Sequence, residues 1–292
     1  MSAIDVHAQS LACLGQRDSV QACELLKLQT LQTLERLNTA IDGYNGGIGR
    51  DAVIETLAEL GADDERWLAI ALPLIEYGTP DDQRTVARML SITAERTLAR
   101  EDRGDGTVIA DWSIGRRAWA AAAYALAADR IDGFAALSRS PIMRWAGESE
   151  TAPLAQSQRL RHSLLLRDWR ATVDQYLTWF GELPLRPKLA LFDPILPGGH
   201  GDEADILLAL VATNTKGGVT WTGRLHGRAV RRLGARLSDL EQRRALARAL
   251  DVSEQDVADE LDARYAGLVA AMRHELFRVH LPETISGAPP AP

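Results

Sequence analysis

The stretch Ala245–Leu261, ALARALDVSEQDVADEL, decides how this chain is read. Ala and Leu recur at helical spacing as far as Leu250, and Asp251-Val252-Ser253 then interrupts them. Ser253, with Asp256 three residues on, marks a new helix start: a side-chain oxygen there accepts one of the N–H groups that a first turn leaves unpaired. Ala247, Leu250, Val252, Val257 and Leu261 supply the small and apolar contacts that lock two short helices across a tight joint. Rods joined by brief turns are what the rest of the sequence predicts as well.

Working outward, nearly every segment repeats at helical period. From Ser19 to about Asp42, Leu25, Leu28, Leu31, Leu34 and Leu37 form a broad apolar stripe, which the glycines of DGYNGGIG (42–49) end. A short helix over 51–60 is expected next, then a second opened by Asp63 and Asp64. That second helix carries WLAIALPLI, is apolar nearly all round and contains Pro73, which should kink it. Thr79-Pro80-Asp81-Asp82 is the clearest start in the chain: a cap, a proline at the first helical position and acids at the positive end of the dipole. Small residues in AWAAAAYALAA (118–128) allow close helix approach, and helices are expected near 132–148 and 153–180.

The Pro- and Gly-rich stretch 182–220 is the best place for a boundary. The expected division is a helical unit over 1–181, an irregular connector with one helix over 182–220, a helical hairpin region over 221–281 and a disordered tail over 282–292. The fold class is all-α: a multi-helix array or bundle of about ten to thirteen helices stacked as hairpins, possible in two lobes.

Composition narrows the function classes. The 292 residues are 46% hydrophobic and 25% charged, which suits a packed core. The net charge of -7 argues against a surface covered in phosphate-binding groups, though not against a local basic patch. Arginine supplies almost all of the 33 cations, a usage expected of a GC-rich bacterial genome. Only Cys13 and Cys23 are present, and free thiols in a cytoplasmic setting are the expectation. The longest apolar run is far short of the ~20 residues that span a bilayer, so no membrane partner is expected.

The opening motif resembles the helix-turn-helix units of DNA-binding proteins. The resemblance would place 253–262 in a groove, yet those residues carry Glu254, Asp256, Asp259, Glu260 and Asp262 and no cation before Arg264. Such a surface repels phosphate, so the pattern is expected to be a packing hairpin. The segment before it, GRLHGRAVRRLGAR, is the candidate anion- or partner-binding site. There Arg224, Arg228, Arg231 and Arg232 share one broad stripe, and pairing with the acidic 251–262 block is the alternative to an outside ligand.

Other constellations are weaker. His274 and His280 in MRHELFRVH (272–280) are six apart, about 240° round a helix, and cannot share a metal. Arg273 and His280 do share a face, and their spacing resembles the motif of HEPN-type helical ribonucleases; that resemblance implies metal-independent RNA cleavage with these two as catalytic residues. His200, Asp202 and Glu203 could be ligands beside a Gly-rich turn, or first-turn acids of a helix. The Asp63-Asp64 and Asp81-Asp82 pairs are read as caps. No cofactor or metal site is expected. Trp67, Trp119, Trp169 and Trp179 are expected in the core, while Trp112, Trp145 and Trp221 flank turns. The preferred expectation is a non-catalytic helical interaction or scaffold protein whose partner is another protein, ahead of a nucleic-acid-binding protein using 224–232 and then a ribonuclease.

Overall fold

The computed structural model describes residues 2–43, 50–98, 107–143, 151–153, 200–212, 227–272 and 283–286. Among them are ten helices: α1 (Ala3–Gly15), α2 (Ser19–Gly43), α3 (Arg50–Tyr77), α4 (Pro80–Leu98), α5 (Thr107–Ala127), α6 (Ile131–Arg139), α7 (His200–Ala212), α8 (Gly227–Leu237), α9 (Leu240–Leu250) and α10 (Val257–Met272). The fold is all-α. One small addition interrupts the helices: β1 (Pro141–Met143) and β2 (Thr151–Pro153) pair antiparallel, with Ile142 opposite Ala152. Strands of three residues are too short to show the alternation by which a strand is recognised.

Helix α3 is the axis of the first half. It packs against α1, α2, α4 and α5, while α4, α5 and α6 pack against one another. Helix α5 then meets α7, and α6 meets α9, so residues before 140 and after 200 share contacts. The alanines of α5 explain its central place: Ala120–Ala123 and Ala125 are buried, and their lack of bulk lets five helices approach one rod.

Expected and observed helices differ in instructive ways. Residues 51–60 and 63 onward form one helix, not two. Asp63 and Asp64 are mid-helix and buried, so they do not cap. Gly61 is compatible with continuing the rod, and its missing side chain leaves room for Arg116, whose guanidinium would lie 3.1 Å from an added Cβ. Pro73 sits inside α3 and cannot donate to the carbonyl of Ala69, four residues back. His7 of α1 supplies that bond instead, Nδ1–H donating to Ala69 O at 3.1 Å, so the helix break is repaired by a neighbour.

Helix α6 ends at Arg139, short of the expected 148, because Ser140 precedes Pro141 and is held extended (φ -56°, ψ 124°). The leucines of α2 divide. A three-residue step turns back about 60° each time, so five of them cannot share one face. Leu34 and Leu37 are buried, whereas Leu28 is 58% and Leu31 50% exposed.

The Thr79 start forms as expected: Asp82 N–H donates to Thr79 Oγ1 at 3.3 Å, and Thr79 N–H donates to Asp82 Oδ2 at 2.7 Å. Cys13 and Cys23 are free and buried, and Trp67 is fully enclosed. Trp119 is half-buried; the remaining tryptophans' side chains lie outside the described residues, as does the expected 153–180 helix.

The C-terminal stretch also differs. Within the expected tail, Ile285 is buried, and its N–H donates to Asp262 Oδ1 at 2.6 Å. Ser286 N–H joins the same oxygen at 3.0 Å. This strap crosses α8 at Gly234, where a Cβ would sit 2.3 Å from Ile285 O; only glycine admits the crossing.

Candidate functional site

Helix α8 carries the arginine stripe, and its sequence GRAVRRLGARL holds four cations and no acid. Ala229, Val230, Leu233 and Leu237 pack inward. Arg228 and Arg231 are consequently exposed and Arg232 is half-buried, while Arg224 lies outside the described residues. None of Arg228, Arg231 or Arg232 makes a hydrogen bond or ion pair among the described residues, and Arg232 Nη1 is buried without an acceptor. The expected alternative, neutralisation by 251–262, is therefore not seen at these three arginines. That acidic block is taken up elsewhere: Glu254 by Arg243 (3.2 Å) and Arg244 (2.8 Å), Glu260 by Arg264 (2.6 Å), Asp251 by Arg139 (3.0 Å).

The fourth arginine of α8 turns the other way. Arg236 is buried and binds both oxygens of Glu203, Asp129 Oδ1 at 2.9 Å, Gln242 Oε1 at 2.9 Å and the Leu126 carbonyl at 2.8 Å. Burial alone would depress its basicity, but Glu203 and Asp129 more than offset that and raise it. Asp129 reaches the site from a left-handed turn (φ 55°) that ends α5. Glu203 is thus a structural anion and not a loop ligand. The side chains of His200 and Asp202 lie outside the described residues. Among the described residues no group of three His, Cys, Asp or Glu could hold a metal ion.

Asp251 stands in the left-handed conformation (φ 61°, ψ 48°) where glycine is the usual choice, and Arg139 fixes its carboxylate. Arg264 is the sole cation of α10 and is buried. It donates to the end carbonyls Leu210 O and Leu250 O, each at 3.1 Å, tying α7 and α9 together. The exposed face of α10 offers Asp259, Ala263, Ala266 and Ala270, with Asp256 just before it. The exposed Ser253 and Gln255 stand beside Asp256, and the charged side chains of this face are acids, which repel phosphate.

A second ionic centre, absent from the sequence reading, joins α3 to α2 and α5. Asp63 binds Arg36 through both oxygens (2.7 and 2.8 Å) and Arg66 (2.7 Å). Asp64 is fully enclosed with Arg117, whose Nε lies 3.2 Å from Oδ1; Ser113 donates its hydroxyl to the same oxygen at 2.6 Å. Arg116 stands 3.7 Å from Oδ2. Arg117 stacks 5.5 Å from the Trp67 ring centroid. Burial pushes the Asp64 carboxyl up to about 6, against the opposing pull of Arg117, Arg116 and Ser113. The available signal was Arg116-Arg117 inside an otherwise apolar helix, since cations there must find buried acids.

Burial and Asp82 push the Cys23 thiol up to about 11, which removes it as a nucleophile at neutral pH. Arg273, His274 and His280 lie outside the described residues. No helix among the described residues is long and apolar enough to cross a membrane. The chain matches no family model, no curated protein and no solved structure.

Proposed function

We propose that this protein is a non-catalytic helical interaction protein of the cytoplasm that binds another protein through its outer helix faces. One observation carries the reading: the buried acids are engaged within the array, whereas Arg228 and Arg231 stand on an outer face with no acid among the described residues. Glu203, Asp63 and Asp64 all serve Arg residues inside the array. On α8, one arginine is consumed internally and Arg228 and Arg231 face outward. The exposed apolar side chains of α1 and α2 (Ile4, Leu11, Val20, Leu28, Leu31) add contact area of the kind that helix-binding partners use.

The test is crosslinking of the full chain in its native cell, followed by purification and quantitative mass spectrometry. One stoichiometric protein partner is the expected result. Turnover of RNA by the purified protein, abolished by His280→Ala with folding intact, would overturn the reading in favour of a ribonuclease. A second reading, nucleic-acid binding, draws on the same arginine stripe; retention on heparin that persists until modest salt would favour it.

A further inference from the structure

We infer that the outer face of α8 is a docking surface for an acidic helical segment of a partner protein, an assignment that rests on the interaction reading above. Arg228, Arg231 and Arg232 span about 100° of the helix and roughly 6 Å along its axis. Their spacings of three and four residues are those at which carboxylates recur on one face of a facing helix. A guanidinium grips a carboxylate through two parallel N–H bonds, so two acids a turn apart on the partner could each be held by a fork.

Two features of the molecule favour this occupant. Arg236 shows what α8 does where the chain provides an acid: it takes Glu203 at close range. The outward Arg228 and Arg231 have no such acid among the described residues. The surroundings also discriminate against a polyphosphate strand. Asp239 and Glu241 follow α8 directly and are exposed. A nucleic acid running beyond the stripe meets these like charges, whereas a segment about two turns long need not.

The experiment titrates the full-length protein against a fluorescein-labelled, alanine-rich peptide with glutamate at every fourth position. A peptide with glutamine in those places and a single-stranded RNA of similar length are run beside it. The protein variants are Arg228→Glu with Arg231→Glu, and, as a charge-matched control on the exposed side of α4, Arg84→Glu with Arg88→Glu. The glutamate peptide binds the unsubstituted protein and the control alike. It binds the α8 variant on the order of tenfold or more weakly, and it weakens with added salt. The glutamine peptide does not bind, and circular dichroism shows all proteins folded. Equal binding to both variants, no binding of the glutamate peptide, or RNA binding tighter than the peptide and lost in the α8 variant would each overturn the assignment. A cellular partner captured equally by the α8 variant removes this surface but leaves the interaction reading standing.

Discussion

Two buried ionic centres in this molecule, Arg236 with Glu203 and Arg117 with Asp64, solve the same problem to different degrees. Around Arg236, two carboxylates, an amide and a backbone carbonyl receive the guanidinium, and its basicity rises. Around Arg117, Ser113 and one oxygen of Asp64 are the partners, Nη1 has no acceptor, and burial depresses the guanidinium. Arg117 is the more deeply enclosed and has the fewer acceptors, and both differences lower its basicity relative to Arg236. A desolvated charge is tolerated in proportion to the hydrogen bonds that replace its water.

That contrast can be broken most directly at Arg236. Arg236→Met strands Glu203 inside the array and should destabilise the fold by about 3–5 kcal/mol in urea denaturation. Replacing Glu203 as well, by leucine, should recover little, because the Leu126 carbonyl and Gln242 still lose their donor. The matching pair Asp64→Leu with Arg117→Met should recover more of the loss caused by Arg117→Met alone, though not all of it, because Ser113 and Arg116 then lose Asp64. Equal recovery at the two centres would mean that the acceptor count is not what separates them.

Next in size is a pH effect. The Asp64 carboxyl sits at about 6, above the ordinary 3.8. Its contribution to stability is therefore complete below about pH 4 and is lost as pH rises through about 6. At 1.36 kcal/mol per unit, the two-unit gap is worth about 3 kcal/mol. Stability of the wild type relative to Asp64→Asn should fall by that order between acid and neutral pH, and a flat difference would show that Asp64 titrates as an exposed acid does. Gly234→Ala should follow at about 1–3 kcal/mol, by lifting the 283–286 strap from α8, a change that hydrogen exchange at Ile285 would register. Thr79→Ala removes one cap and should cost about 1 kcal/mol in the same denaturation assay.

Local signals were legible wherever one or two residues settle a local question. Thr79, Pro80 and Asp82 start α4 as their chemistry requires, and the Asp251–Ser253 joint separates α9 from α10. Asp63 and Asp64 show the limit. By type they are as good a cap as Asp81 and Asp82, and only the arginines of α2 and α5 place them mid-helix. The candidate surface was half legible: the stripe at 224–232 could be seen, but not which of its arginines would remain unpaired.

By itself, then, the sequence determined the helical class, most joints between rods and the absence of acid from α8, because these depend on side chains within a turn or two of each other. The tertiary structure decided direction. Arg236 turns inward and Arg228 and Arg231 turn outward because Glu203 and Asp129 stand on one side of α8, brought there across 33 and 107 residues of chain. Helical periodicity can say that four arginines lie near one another; only the elements packed against the helix say which of them is left with water for a partner.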